Sequence, residues 1–301
     1  MATFRQLLFT RKFYYDDGQS QVNTYEVRAL VCALCLLYWM VLHALKKWYM
    51  VDRPAYNLDR LYRYWALLMG AVHAFAAVRL MSEFVWALKK LKLSGSMCES
   101  GGYFDGTSGY WVWLCAYLNL WEMISSVIMV LQKRRVTKLH RFYHTATTLY
   151  WFFVYPENFA FLRWALMLKM IVHTAMYWHS AAVFSEWPLS RRVERLLAIV
   201  QLLRFAVCQL ILVAVAAVKS SPVEQCDSAN WPVIVGSLVL YAVTTAFYWR
   251  YFRRTHVHEA KYRQEDDKRN AVKKRSFINH KRPEKKRNYL GDMEPLVDMI
   301  G

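Results

Sequence analysis

The chain has 301 residues, of which 56% are hydrophobic and 21% are charged, and its formal net charge is +18. Its apolar residues lie in long blocks separated by short basic clusters, a pattern that is typical of membrane-spanning helices and excludes a soluble domain built from amphipathic helices. A basic balance on so apolar a chain indicates the cytosolic loops of a membrane protein rather than a nucleic-acid-binding surface.

Seven apolar blocks approach the length of about 20 residues that a helix needs to cross the hydrocarbon core. They cover residues 27–49, 64–88, 110–131, 139–155, 160–184, 195–218 and 233–252, and the fourth is the shortest. Residues 1–21 carry charged side chains and lack the apolar core of a cleavable signal peptide. We therefore predict an all-α, polytopic membrane domain of about seven transmembrane helices over residues 1–255, followed by a basic cytosolic tail over residues 256–301.

The distribution of lysine and arginine predicts the orientation of these helices. Positive charge concentrates between the first and second, third and fourth, and fifth and sixth blocks, and again after the seventh. Only Lys89, Lys90 and Lys92, after the second block, oppose this pattern. The topology with the fewest violations places the N-terminus outside the cytosol and the C-terminus inside. The tail is rich in charged residues, and we expect it to contact anionic lipid headgroups.

The cysteines provide a separate prediction. Cys98 and Cys226 lie in the connections after the second and sixth blocks, which the topology places on the same, non-cytosolic side. That side is oxidising in the secretory pathway, so we predict a disulfide between them. The other four cysteines lie within predicted spans, where free thiols behave as small hydrophobic side chains. The one CxxC pair, Cys32 and Cys35, lies inside the first apolar block, and we predict no zinc site there.

Ionisable and polar side chains inside the predicted spans are candidates for function, because a charge is costly there. On the fifth block, Lys169, His173 and Tyr177 share one helix face, and on the fourth block so do His140 and His144. Further candidates are Glu122, Gln201 and Arg204. These groups form either a functional site in a polar bundle interior or ordinary hydrogen bonds between helices. Three histidines on two consecutive helices, beside a basic loop, favour the functional interpretation.

A metal centre is the next alternative, because His140 and His144 have metal-ligand spacing. Histidine-rich membrane oxygenases need several such clusters. Here His43 and His73 stand alone in the sequence, and His256, His258 and His280 lie in the tail. We therefore predict no metal site.

Four segments, in order, resemble the motifs of the very-long-chain fatty acid elongases. Residues 122–134 (EMISSVIMVLQKR) are similar to ELxDTxFxxLRKK, with Ser125 and Ser126 in place of Asp-Thr. Residues 139–147 (LHRFYHTAT) are similar to the histidine box LHxYHHAT. Residues 169–179 (KMIVHTAMYWH) resemble NxxxHxxMYxYY, and residues 198–205 (AIVQLLRF) resemble TxxQxxQF. Lys169 and Arg204 replace asparagine and glutamine of the family.

The histidine box can be aligned in two ways. Without a gap, His140 and His144 match its first and third histidines, and Tyr143 replaces the middle one. With one inserted residue, the segment YHTAT matches YHHAT and His144 becomes the middle histidine. We favour the second alignment because it keeps the downstream Ala-Thr.

The resemblance implies a divergent 3-oxoacyl-CoA synthase, with the helices surrounding an interior acyl-CoA cavity. It implies condensation of a long-chain acyl-CoA with malonyl-CoA through a histidine-based acyl transfer, with no further cofactor. The acyl-accepting role would fall to His144 or His173, supported by His140 and Tyr177, with Glu122, Lys169, Gln201 and Arg204 around the substrate. The phosphates of CoA require a cationic entrance. The residues placed to form it are Lys133, Arg134, Arg135, Lys138 and Arg141.

By the same resemblance we expect an endoplasmic reticulum membrane, the other enzymes of the elongation cycle as partners, and no nucleic acid. Whether the chain forms a homodimer stays open. Two other functions also stay open. One is an inactive elongase relative, because the motifs depart from the family. The other is a transporter or receptor, which would need helices interrupted by glycine or proline near the midplane, and these blocks contain few such residues.

Overall fold

The computed structural model describes residues 26–185, 187, 190–221, 226 and 230–258. Every regular element in that part of the chain is helical, which confirms the predicted all-α class. The helices are α1 Arg28–Ala44, α2 Asp59–Lys90, α3 Lys92–Cys98, α4 Gly106–Glu122, α5 Ile124–Leu131, α6 Lys138–Val154, α7 Leu162–Val183, α8 Arg191–Ser220 and α9 Trp231–Phe252. The predicted tail, apart from its first three residues, lies outside the described residues.

Five helical segments in the described part of the chain are long and apolar enough to cross a membrane, which confirms a polytopic membrane protein. They are Arg28–Tyr49, Asp59–Lys90, Gly106–Leu131, Arg191–Ser220 and Trp231–Thr255. The other two predicted spans correspond to α6 and α7. Helix α6 has only 17 residues, and α7 carries Arg163, Lys169 and two histidines, which lower its hydropathy. These two helices hold most of the predicted catalytic residues.

The outer surface of the bundle is apolar. Leu36 of α1, Val78 of α2 and Leu210 of α8 expose 66%, 70% and 70% of their surface. Buried positions include many polar and charged side chains, among them Glu122 and Lys169. Apolar residues outside and ionisable residues inside are the arrangement expected when lipid surrounds the helices.

The seven segments that correspond to the predicted spans run in alternating directions between the two ends of the bundle. At the basic end, Gln132 after α5 donates a hydrogen bond to Asp59 at the start of α2 (Nε2 to Oδ1, 2.7 Å). At the other end, which we call the cystine end, Arg28 at the start of α1 donates to the carbonyl of Phe153 near the end of α6 (2.8 Å). Lys133 adopts φ 56° directly after α5, and this left-handed residue turns the chain toward α6.

The predicted disulfide is present at the cystine end. It joins Cys98, the last residue of α3, to Cys226 after α8, with Cα atoms 4.7 Å apart. Cys32, Cys35, Cys115 and Cys208 are free thiols and lie in helices, as expected.

A buried arginine, which the sequence analysis missed, also fastens the cystine end. The Arg163 guanidinium, at the start of α7, lies 2.9 Å from Glu83 Oε1 of α2. It also donates to the carbonyls of Ser96, Glu99 and Ser100 at 2.6 to 3.0 Å. One side chain thus joins α2, α7, α3 and the two residues that follow α3.

Helices α2 and α7 form the most extensive helix pair of the bundle. They approach closely at Gly70, where an added Cβ would collide with the indole of Trp178. Helix α6 begins at Thr137, whose hydroxyl accepts a hydrogen bond from the backbone N–H of His140 (3.1 Å). This packing brings the inner faces of α2, α6 and α7 against the end of α4.

Candidate active site

The carboxylate of Glu122 is the centre of the polar interior. Glu122 is the last residue of α4 and is fully buried, at the point where the helix breaks before α5. Its Oε1 atom lies 2.9 Å from Lys169 Nζ and 2.9 Å from His73 Nε2. His173 Nδ1 lies 3.6 Å from Oε1, and His144 Nδ1 lies 3.6 Å from Oε2. Four ionisable side chains from three other helices therefore surround one carboxylate.

Lys169 is held on this carboxylate by α4. Its ammonium also donates to Asn119 Oδ1 at 2.6 Å, one helical turn before Glu122. The Asn119 amide nitrogen is bonded in turn to the carbonyls of Cys115 and Ala116, which orients the amide oxygen toward the lysine. Buried charges need a partner and hydrogen bonds on their remaining donors, and Lys169 has both.

His73 belongs to the same cluster. Its Nδ1 lies 2.7 Å from the Met69 carbonyl, and its Nε2 lies on Glu122. Each ring nitrogen therefore faces an oxygen acceptor, one on α2 itself and one on α4. The view of His73 as an isolated histidine was wrong, because helix packing joins it to residues 49 and 100 positions away in the sequence.

His140 is tied to α1 and α5 rather than to the carboxylate. Its Nε2 lies 2.6 Å from Ser126 Oγ, and Tyr38 of α1 lies 2.8 Å from the same oxygen. The His140 and His144 rings are 4.7 Å apart. Ser126, one of the two serines that replace the family's Asp-Thr pair, therefore positions the first histidine of the box.

Tyr143 lies on the opposite side of His173 from Glu122. Its hydroxyl is 3.1 Å from His173 Nε2. Arg204 of α8 donates to the same hydroxyl at 2.9 Å. Gln201 is buried three residues before Arg204 on the same helix. In the sequence Tyr143 is only a difference in one alignment of the histidine box, and the structure adds it to the site.

Tyr177, the third residue of the predicted α7 stripe, packs beside the histidines. Its ring centroid lies 5.2 Å from that of His73 and 6.1 Å from that of His173. Its buried hydroxyl has no hydrogen-bond partner within the described part of the chain.

A small cavity of about 20 Å³, little more than one water molecule needs, adjoins this cluster between α6, α7, α8 and α9. Tyr143, Lys169 and Arg204 form its polar side. Among the described residues, neither His144 nor His173 lines this cavity, and Tyr143 stands between it and the His173 ring. The remaining lining residues are Thr147, Tyr150, Trp151, Ala165, Phe205, Leu240, Tyr241 and Thr244.

The predicted basic entrance lies at the basic end, about 9 Å along α6 from His144. Lys133, Arg135 and Lys138 are exposed there. Arg134 is bonded to Asp59 (3.3 Å) and lies over the Phe184 ring. Arg141 is half-buried and lies over the Trp39 ring at 4.8 Å. Three of the five cations are therefore free to meet solvent, and two are partly engaged with the bundle.

His73, Glu122 and His173 could supply ligands to a metal ion, with donor atoms within 4.8 Å of one another. The Lys169 ammonium already contacts the Glu122 oxygen that His73 shares, so a divalent cation there would face a positive charge at close range. The absence of a metal site stays a prediction.

The fold and this cluster define a polytopic membrane protein with an ionisable site enclosed by its helices. The chain belongs to the ELO: GNS1/SUR4 family, whose family model matches residues 25–264. This result confirms the resemblance drawn from the motifs.

Individual relatives are fatty acid elongases at low identity. Long chain fatty acid elongase 1 of Caenorhabditis elegans is 28% identical over 167 residues, which are 56% of this chain and 54% of that protein. Long chain fatty acid elongase 2 of the same organism is 22% identical over 253 residues, covering 84% and 91%. Very long chain fatty acid elongase 6 of Drosophila melanogaster is 23% identical over 226 residues, covering 74% and 71%. The match thus spans about half of the first relative and nearly all of the second.

Proposed function

We propose that this protein is a 3-oxoacyl-CoA synthase of fatty acid elongation, an acyltransferase that condenses a long-chain acyl-CoA with malonyl-CoA to give 3-oxoacyl-CoA, CoA and CO2. One observation carries the proposal. Four residues at the family's motif positions meet beside the small cavity. His144, Lys169 and His173 surround the buried carboxylate of Glu122.

The chemistry of the reaction fits these groups. Acyl transfer from a thioester needs a nucleophile, a base and a group that returns a proton to the leaving thiol. Neutral imidazole can serve as nucleophile or base near neutral pH. His173 and His144 each have Nδ1 facing the carboxylate, which orients the two imidazoles. Nε2 of His173 then faces the Tyr143 hydroxyl. His140 is held by Ser126, and its ring lies 4.7 Å from that of His144.

The proposed substrate path runs from the basic end to the cavity. The exposed cations Lys133, Arg135 and Lys138 would meet the CoA phosphates. The acyl chain would enter at the small cavity among α6 to α9, which must widen to hold it. The basic end then faces the cytosol, by the excess of lysine and arginine, and the cystine end faces the oxidising lumen of the endoplasmic reticulum. The other elongation enzymes are proposed partners on the cytosolic side.

The test is incorporation of radiolabelled malonyl-CoA by the purified, reconstituted protein with a panel of acyl-CoAs. We expect 3-oxoacyl-CoA from the wild type and no condensation by His173→Ala, because the ring that joins Glu122 to Tyr143 is lost. His43→Ala is the matched control, since His43 is exposed and lies outside the cluster. No product from folded wild type with any acyl-CoA would support the inactive relative instead. Full activity of His173→Ala would show that another residue performs the acyl transfer.

A further inference from the structure

Tyr143, His173 and Glu122 are arranged in series. The Tyr143 hydroxyl lies 3.1 Å from His173 Nε2, and His173 Nδ1 lies 3.6 Å from the Glu122 carboxylate. The carboxylate favours a proton on Nδ1, which leaves Nε2 as an acceptor for the phenol proton. A hydroxyl on a base that a third group orients is the geometry of an activated nucleophile.

Two further observations concern the phenol oxygen itself. Arg204 donates a hydrogen bond to it at 2.9 Å, so a negative charge that develops on this oxygen is stabilised. Tyr143 also lines the cavity, whereas among the described residues neither His144 nor His173 does. Of the groups in the series, the phenol is therefore the one in contact with the space proposed for the acyl chain.

We infer that the Tyr143 oxygen accepts the acyl group during the reaction, with His173 as its general base and Arg204 as the stabilising cation. This inference rests on the proposed function and names the residue that carries the covalent intermediate. The ungapped alignment, in which Tyr143 takes the place of the middle histidine of the box, fits this assignment. Helix α6 is a regular α-helix through this region, without the bulge that an inserted residue often produces.

The first half-reaction forms a tyrosyl ester. His173 Nε2 takes the phenol proton, and the phenol oxygen forms a bond to the thioester carbonyl carbon. The carbon–sulfur bond breaks, and the CoA thiolate takes the proton from His173. The products are an ester on Tyr143 and free CoA thiol, and the imidazole is neutral again.

The second half-reaction uses malonyl-CoA. Its carboxylate leaves as CO2, and the electron pair of the broken carbon–carbon bond forms the new bond to the ester carbonyl carbon. The phenolate leaves, held by Arg204, and is reprotonated through His173 by a proton from water. One proton is consumed per turnover, and the product is 3-oxoacyl-CoA.

A tyrosyl ester is a competent carrier for this exchange. A phenol has a reference pKa of about 10 and a cysteine-like thiol about 8.5, so the two are leaving groups of similar quality. Transfer from thioester to aryl ester is therefore close to balanced, and the ester keeps enough reactivity for attack by a carbanion. An ester on serine or threonine would be far less reactive.

The experiment incubates the full-length, reconstituted protein with long-chain acyl-CoA in the absence of malonyl-CoA. Two quantities are measured: the acyl adduct, located by mass spectrometry with fragmentation between residues 143 and 144, and the exchange of labelled CoA into acyl-CoA. We expect the adduct on Tyr143. Tyr143→Phe should remove the adduct and lower exchange and condensation on the order of 1,000-fold. Tyr103→Phe is the matched control, since that buried phenol donates to the Leu162 carbonyl (3.3 Å) and, among the described residues, does not line the cavity.

Each outcome separates this inference from the proposed function. An adduct on His144 or His173, or one that persists in Tyr143→Phe, overturns the inference and leaves the synthase function standing. Condensation by the wild type with neither adduct nor exchange also overturns the inference and leaves the synthase function standing. No condensation and no exchange with any acyl-CoA overturns both. The location of the wild-type adduct decides the question even where Tyr143→Phe fails to fold.

Discussion

Replacing Glu122 with glutamine tests whether its carboxylate is the electrostatic centre of the bundle. The substitution keeps the shape of the side chain and removes its charge. Lys169 then loses the negative charge at 2.9 Å and is left with neutral acceptors, among them the Asn119 amide oxygen at 2.6 Å. Breaking one partner of a buried pair costs about 3–5 kcal/mol, and the retained amide contact places the expected loss near the lower figure, about 3 kcal/mol.

The second arm of this test restores neutrality. Glu122→Gln combined with Lys169→Met removes both charges, so the buried ammonium no longer lacks a counterion. We expect the double variant to regain most of the lost stability, with a coupling energy of about 2 kcal/mol between the two sites. Glu157→Gln is the control, because Glu157 pairs with Arg28 at 3.6 Å near the surface and exposes 27% of its side chain. That change should cost less than about 1 kcal/mol.

Thermal unfolding of the detergent-purified protein, followed by tryptophan fluorescence at one fixed heating rate, measures these differences. A loss of about 3 kcal/mol corresponds to a fall in Tm of about 5 °C for a chain of this size. A Glu122→Gln variant that melts with the wild type would refute the central role of the carboxylate. A double variant no more stable than the single one would refute the Glu122–Lys169 pairing.

Three further predictions concern the two ends of the bundle. Arg134→Gln with Arg135→Gln should raise the KM for acyl-CoA about tenfold at low ionic strength with little change in kcat, and an unchanged KM would place the CoA entrance elsewhere. Arg163→Met should lower the free energy of unfolding by about 3–5 kcal/mol, because Glu83 loses its partner; a Tm equal to that of Arg195→Met, an exposed control, would contradict this. Removing the disulfide by Cys98→Ser with Cys226→Ser should cost about 4–5 kcal/mol for a loop of 128 residues, and thermal unfolding with an unchanged Tm would contradict it.

The membrane helices could be predicted from apolar blocks alone, within a few residues. The largest differences are at the helix starts: α2 starts at Asp59 rather than near residue 64, α4 at Gly106 rather than near residue 110, and α8 at Arg191 rather than near residue 195. Helices α2 and α8 extend beyond the apolar block through charged residues, where hydropathy falls although the backbone stays helical. The break between α4 and α5 at Met123 was not predicted, because the apolar pattern continues across it.

The candidate site was predicted in part. Stripes on α6 and α7 led to His140, His144, Lys169 and His173, because helical periodicity places such residues on one face. His73 and Arg163 were missed, since each is a lone polar residue whose partners lie on other helices. An available signal was their position inside otherwise apolar helices, where any ionisable residue is costly. Which partner each one meets depends on the packing of α2 against α7, and periodicity within one helix does not encode that packing.

The departures from the family motifs are connected in space. In the ungapped alignment, Tyr143 replaces a histidine and Arg204 replaces a glutamine. The Arg204 guanidinium donates a hydrogen bond to the Tyr143 hydroxyl. A phenol that carries a negative charge during a reaction needs a cation beside it, whereas a neutral imidazole at the same place does not. An arginine beside a histidine nucleophile would instead oppose its positively charged acyl form. A change of nucleophile from histidine to tyrosine therefore explains both replacements. Loss of activity would explain either replacement alone, but it would not require the two to occur together.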